Sequence, residues 1–234
     1  MNTKIILTAL IILAAGVGIY FNLQPKDLQG ITYGNDAEVD SPLTPTEEIT
    51  APESEQQEQQ KTMQNRIATF TTNKGVIKIE LFEDTMPITT GNFIKLAEEK
   101  YFDGIKFHRV IDGFMIQSGD PLTKDDSKSA YWGTGGPGYA IPDEHVAGPL
   151  LTNTRGTISM ANSGPNSGGS QFFINVNDNV FLDFNKEPLQ SKHPVFGRVT
   201  LGMDVVEAIS MAPRNGRDVP NEPIVITSIT IGTN

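Results

Sequence analysis

Phe107-His108-Arg109-Val110-Ile111-Asp112-Gly113-Phe114-Met115-Ile116-Gln117-Ser118-Gly119-Asp120 is the stretch whose reading decides the fold, together with a second one further along, Ile158-Ser159-Met160-Ala161-Asn162-Ser163-Gly164-Pro165-Asn166-Ser167-Gly168-Gly169-Ser170-Gln171-Phe172-Phe173-Ile174. In the first, Asp112-Gly113 between two apolar runs is a hairpin signal. The second belongs to a strand-rich middle heavy in Gly, Asn and Ser.

Outward from these stretches the same texture continues. Ala68–Thr72 and Gly75–Leu81 alternate as two strands, with Asn73-Lys74-Gly75 as their turn. Pro87 stands near the start of Ile88–Lys100, where Phe93, Ile94, Leu96 and Ala97 have helical spacing. Leu201–Ser210 predicts a second short helix with Val205, Val206 and Ile209 on one side, and Pro223–Gly232 a closing strand. Many short strands and two helices point to a closed antiparallel barrel with helical covers.

The N-terminal part differs. Lys4 precedes Ile5–Phe21, an uncharged apolar run at the short limit for crossing a hydrocarbon core. It reads as a membrane anchor or as a secretory signal, with Ala14-Ala15-Gly16-Val17-Gly18 as a cleavage region. Because Ile19-Tyr20-Phe21 continues the run, the anchor is the favoured reading, and Lys4 predicts that the bulk of the chain lies outside the cytoplasm, periplasmic or extracellular. The alternative is secretion after cleavage.

Residues 22–65 carry two lysines against nine acids, and Pro25, Pro42, Pro45 and Pro52 interrupt any helix. With few large apolar residues, this stretch reads as a flexible tether with a mean reach of roughly 35–40 Å. A polar helix over Glu47–Met63 is the other option. The domain organisation is therefore 1–21 anchor or signal, 22–65 acidic linker, and 66–234 working domain. The formal charge of −10 sits mostly in the linker, and an acidic chain with no basic cluster argues against nucleic-acid binding. The absence of cysteine removes thiol nucleophiles, Cys-ligated metals and disulfides.

Several tempting motifs fail on context. Gly133-Thr134-Gly135-Gly136-Pro137-Gly138 satisfies G-x-G-x-x-G, but Tyr139-Ala140-Ile141-Pro142 follows and cannot begin the helix that a dinucleotide fingerprint needs. Asn175-Val176-Asn177-Asp178-Asn179 resembles alternating calcium ligands without the glycine or glutamate spacing. His108, His145 and His193 have no ligand spacing; the first two read as structural. Trp132 reads as packing or a loop lid.

The two opening stretches resemble the paired signature segments of the cyclophilins, and the resemblance runs through 66–234 to Lys192-His193-Pro194-Val195-Phe196-Gly197-Arg198-Val199. It implies a mainly β fold, a closed antiparallel eight-stranded β-barrel capped by two α-helices, and a peptidyl-prolyl cis–trans isomerase that assists folding of unfolded or newly exported polypeptides containing X–Pro bonds. No cofactor and no metal are implied. By resemblance, Arg109 is the catalytic guanidinium, and Gln117 orients it and touches the substrate backbone. Phe114, Met115, Phe173 and Leu182 form the proline pocket with His193 at its edge. Ala161 and Asn162 bind the residues before proline through main-chain groups, and Gln171 supports that rim.

Rotation of an X–Pro bond needs no nucleophile and no proton transfer, so an arginine beside an apolar pocket is sufficient equipment. A strict two-residue turn at Asp112-Gly113 would nevertheless put Arg109 and Phe114 on one face and Met115 and Gln117 on the other. A bulge or a wider turn is therefore expected.

The chain departs from the family pattern at three places. Phe181 stands where better-studied eukaryotic members have tryptophan; it keeps the apolar wall but lacks the indole N–H, so binding of cyclosporin is expected to be weakened. Phe184–Lys192 is longer than the family's compact loop. Ser163 replaces an alanine.

Overall fold

The computed structural model describes residues 65–186 and 192–233. The apolar run Ile5–Phe21 lies outside them, as do residues 22–64 of the tether and the polar helix considered over Glu47–Met63. Among the described residues no helix is long and apolar enough to cross a membrane.

Alternation builds the first hairpin. Strand β1 (Ile67–Thr72) and strand β2 (Gly75–Leu81) pair from Ile67↔Glu80 to Thr72↔Gly75, so Ala68 and Phe70 point inward with Ile77, Ile79 and Leu81. Helix α1 (Pro87–Glu98) follows, with proline at its first position. Met86 offers no side-chain cap. Glu144, far along the chain, supplies one: its two carboxylate oxygens accept from the Ile88 and Thr89 amides at 3.1 and 2.9 Å. Phe93 of α1 lies at the centre of the core, its ring centroid 5.1–5.9 Å from those of Phe70, Phe102, Phe172 and Phe196.

Then come β3 (Arg109–Ile111), β4 (Met115–Ser118), β5 (Thr157–Met160), β6 (Phe172–Asn175), β7 (Val195–Leu201), α2 (Met203–Ser210) and β8 (Ile226–Gly232). Helix α2 starts later than its apolar spacing predicts because Gly202 is left-handed, at φ 85°, where a β-carbon would meet the Val76 carbonyl at 2.2 Å. Val206, Ile209 and Ser210 are its buried residues, with Val205 half-buried. Strand β8 likewise starts after Pro223, Ile224 and Val225.

The eight strands form one antiparallel sheet in the order β3-β4-β6-β5-β7-β2-β1-β8. The expected closed barrel is corrected to an open, strongly curled sheet, because its edge strands β3 and β8 form no ladder with each other. The gap is laced instead by the irregular segment ahead of β3. Gly104 and Phe107 donate to Ile226 and Ile224 carbonyls at 2.8 and 2.9 Å, and Ile226 donates to Ile105 at 2.8 Å.

Strands β5 and β6 are buried on both faces, which fixes where a site can form. Ile158, Met160, Phe172 and Ile174 join the core on the inner face, with Val110 and Ile116. Thr157, Ser159, Phe173 and Asn175 point the other way, under loops, and belong to a second, partly polar layer.

Candidate active site

The turn after β3 is wider than two residues. Arg109 pairs with Gln117, Val110 with Ile116 and Ile111 with Met115, leaving Asp112-Gly113-Phe114 as a three-residue connection. Gly113 adopts φ 68°, and the Phe114 amide donates to the Ile111 carbonyl at 3.1 Å. This register brings Arg109, Met115 and Gln117 onto one face, and Gln117 then pairs with Phe173 of β6 on that same face.

The result is an open cavity of about 330 Å³ on the outside of the sheet. Met115 and Phe173, both nearly inaccessible, form its apolar floor with Phe114 and Leu182; Arg109 and Gln117 stand on one side, and Ala161, Asn162 and His193 on the other. Neither Met115 nor Phe173 packs in the inner core cluster. Nine of the residues singled out in the sequence thus meet around one depression.

His193 stands edge-on to the Phe173 ring, with centroids 5.2 Å apart, and its Nδ1 is 3.0 Å from the Met160 carbonyl. Burial pushes its pKa below the ordinary imidazole value, with the bond to Met160 opposing. A carbonyl can only accept, so Nδ1 carries the proton of the neutral ring and Nε2 keeps a lone pair.

Gln117 is tied to Gln171. Its Nε2 donates to Gln171 Oε1 at 3.0 Å, and it has no described hydrogen bond to Arg109. Gln171 Nε2 donates to the Gly133 and Gly135 carbonyls at 3.0 and 2.8 Å. Gln171 therefore lies outside the apolar cavity and lines an adjoining one of about 390 Å³, walled by the Gly133–Pro137 loop. That loop is the G-x-G-x-x-G match. Asp120, buried, holds it by accepting from the Gly133 and Gly135 amides. Phe181 is also outside the cavity proper: it is exposed and stacks on Phe114, centroids 6.1 Å apart.

The sequence did not disclose the polar scaffold beneath the site. Buried Asn153 accepts from Ser159 Oγ at 2.7 Å and from Asn175 Nδ2 at 3.1 Å, and its own Nδ2 donates to Asp183 and to the His193 carbonyl at 2.8 and 3.1 Å. Asn179 Nδ2 donates to the Phe114 carbonyl at 2.9 Å and to Asn175 Oδ1 at 2.8 Å. One network thus ties Phe114, His193 and Asp183 together. Its only trace in the sequence was the Asn175–Asn179 run that mimics calcium ligands.

The remaining aromatic and imidazole groups lie elsewhere. Trp132 donates to the Leu122 carbonyl at 3.1 Å beneath Lys106. His108 is buried beside the Gly133 loop, with neither ring nitrogen hydrogen-bonded, and burial pushes its pKa down to about 4. His145 stacks on Phe184 at 5.2 Å. Of the long segment Phe184–Lys192, residues 187–191 lie outside the described set. Among the described residues no group of three or more His, Cys, Asp or Glu could hold a metal ion.

Comparison with known proteins agrees with this architecture. Residues 67–231 match the family model of the cyclophilin type peptidyl-prolyl cis-trans isomerase/CLD. The chain is 40% identical over 186 residues to a probable peptidyl-prolyl cis-trans isomerase A of Mycobacterium leprae, covering 72% of this chain and 93% of that protein. It is 40% identical over 185 residues to peptidyl-prolyl cis-trans isomerase B of Streptomyces anulatus, covering 71% and 96%. A crystal structure of a Cryptosporidium parvum cyclophilin type isomerase superposes with a TM-score of 0.61 at 31% identity, over 73% of this chain and 99% of that one. That isomerase has also been solved in the presence of the dipeptide Ala-Pro, with a TM-score of 0.60 at 31% identity, over 72% of this chain and 99% of that one. A family match over most of the described residues, on a curled eight-stranded sheet carrying one apolar cavity beside an arginine, makes this chain a member of the cyclophilin-type peptidyl-prolyl cis–trans isomerases.

Proposed function

We propose that the chain rotates X–Pro bonds of unfolded or newly exported polypeptides, with the prolyl ring in the cavity over Met115 and Phe173 and the Arg109 guanidinium at the twisted amide. The carrying observation is the register of β3 with β4, which puts Arg109 on the same face as that apolar floor.

The chemistry asks for little. The barrier of about 18–20 kcal/mol is lost amide resonance, and uncatalysed exchange takes tens to hundreds of seconds. Turnover in milliseconds needs a gain of roughly 10³–10⁵, about 4–7 kcal/mol. On twisting, the prolyl nitrogen becomes pyramidal and basic, so Arg109 donates to it or steadies the adjoining carbonyl; such a charge-assisted bond contributes about 1.5–3 kcal/mol. The twisted amide also has less charge separation than the planar one, so the apolar floor disfavours the planar form relative to it.

Ala161 already donates its amide to the Gln171 carbonyl at 3.0 Å. Its carbonyl and the Asn162 main chain are then the groups that pair with client residues before proline. Phe181 at the rim supplies apolar contact without an N–H donor, so cyclosporin binds weakly. The apolar N-terminal run, read as anchor or cleaved signal, supports a domain outside the cytoplasm; a protease-protection assay that finds the domain digested only once the cytoplasmic membrane itself is lysed would refute this.

The deciding test is cis-to-trans exchange of an X–Pro peptide by the protein and by Arg109→Ala. Acceleration that drops at least tenfold in the variant supports the proposal. A parent protein that binds the peptide without speeding exchange would make this chain a binding module instead.

A further inference from the structure

We infer that Asp218 is the residue that orients Arg109, a positioning role that rests on the reading of Arg109 as the catalytic guanidinium. Arg109 is exposed at the start of β3, and Gln117 opposite it donates Nε2 to Gln171 and makes no described hydrogen bond with the guanidinium. Among the described residues, Asp218 supplies the one carboxylate within ion-pair distance of this guanidinium, with Oδ2 4.0 Å from Nε. The second oxygen of that carboxylate, Oδ1, lies 3.3 Å from Arg214 Nε. One acid therefore stands between two arginines, Arg109 nearest one oxygen and Arg214 nearest the other.

The loop that carries Asp218 is built to present it. Arg214 and Pro220 form an isolated β-bridge, and Asn215 donates its amide to the Val219 carbonyl at 2.9 Å. Asn215 Oδ1 accepts from the Arg217 and Val219 amides at 2.9 and 3.2 Å. Asp218 itself donates to the Asn215 carbonyl at 3.0 Å and accepts from the Val110 amide at 2.9 Å. The residue that offers the carboxylate is thus hydrogen-bonded to the immediate neighbour of Arg109. Asp218 has φ 60°, a left-handed conformation that Asp and Asn tolerate and most side chains do not.

This contact acts through geometry more than through stability. Arg109 and Asp218 are 44% and 37% exposed, and ion pairs that open to water add little to folding. An arginine on an exposed strand end samples many rotamers, and each must be given up when the guanidinium meets the twisted amide. A carboxylate fixed on a rigid loop removes most of that search before the client arrives. It raises kcat and leaves peptide affinity nearly untouched.

The experiment is a double-mutant cycle on the full chain: parent, Asp218→Asn, Arg109→Ala and the double variant, with peptide exchange rates and peptide affinity measured for each. Asparagine keeps the left-handed backbone and the size of the side chain and removes the charge. We expect Asp218→Asn to lower kcat roughly threefold to tenfold, with affinity unchanged within about twofold and melting shifted by less than about 3 °C. In the Arg109→Ala background the same change should do nothing further. If Arg109→Ala keeps full activity, the role of Arg109 itself is wrong, and the proposal with it. If Arg109→Ala is impaired but Asp218→Asn is not, or if Asp218→Asn costs the same in both backgrounds, Asp218 does not act through Arg109. A large drop in melting temperature without a kinetic split would assign Asp218 a purely structural part.

Discussion

Gln117 and Gln171 are joined amide to amide, Nε2 to Oε1 at 3.0 Å, and Gln117 lines both the apolar cavity beside Arg109 and the adjoining one under the Gly133 loop. Because Gln171 spends both amide hydrogens on the Gly133 and Gly135 carbonyls, its oxygen has one orientation available, and so does the nitrogen of Gln117. Replacing either glutamine with alanine should free the other. The expected coupling energy between the two positions is about 0.5–1.5 kcal/mol in exchange activity. Additive losses in the double variant would show that the bond does not align the site.

Two histidines, His108 buried and His193 half-buried, make stability depend on pH in the same direction. The His108 pKa falls from 6.5 to about 4 and that of His193 is lowered too, burial being the leading cause for both. The unfolded chain then binds more protons than the folded one between pH 4 and 6.5, so stability rises with pH across that window. It is fully present above the unfolded value and is lost as pH falls toward the folded one. For His108 the swing is roughly 3 kcal/mol. Urea titrations at pH 4.5 and 7.5 on the protein and on His108→Gln will measure it: the variant should lose most of the difference, and an unchanged difference would place the acid sensitivity elsewhere.

Asp183 accepts from the Asn153 amide at 2.7 Å, from Asn153 Nδ2 at 2.8 Å and from Thr152 Oγ1, all of them below the cavity. Leu182 beside it accepts from the His193 amide at 3.2 Å. Asp183→Ala should cost about 2–4 kcal/mol, because three donors lose one buried acceptor. Activity should fall as well, since the His193 edge loses its support. By contrast, Glu144→Ala removes only the cap on α1 and should cost about 1–2 kcal/mol with unchanged kcat. Denaturant midpoints together with exchange rates separate the two cases.

These variants also mark how far the sequence could be read. Alternation in Ala68–Leu81 and the spacing of Phe93, Ile94, Leu96 and Ala97 are local patterns, and they place β1, β2 and α1 within a residue or two of where they lie. The mismatch of Arg109 and Met115 about a two-residue turn was legible for the same reason, and the structure resolves it with a third turn residue. What could not be read depends on partners distant in the chain. Glu144 reaches α1 across 56 positions, Gln117 finds Gln171 across 54, and Asn153 meets Asp183 across 30. Nothing near Gln117 announces that its amide is already engaged. The open edge between β3 and β8 is of this kind too: strand count suggests closure, but closure depends on which segment reaches Ile224–Ile226, and Gly104–Phe107 reaches it first.

Phe181 offers the sharpest test of the rim. It is 52% exposed and stacks on Phe114 at an interplanar angle of 15°, so a larger ring at this position extends over solvent and does not press into the core. Phe181→Trp should therefore fold with unchanged stability. The indole adds one N–H donor at the mouth of the cavity, and a single new hydrogen bond of about 0.5–1.5 kcal/mol corresponds to a gain of roughly two- to tenfold in affinity. Cyclosporin, titrated calorimetrically against both proteins, should bind more tightly to the variant by that factor, while exchange of an X–Pro peptide changes less than twofold. Equal affinity of parent and variant would mean that the missing donor is not what limits the inhibitor, and would move attention to the long segment after Phe184.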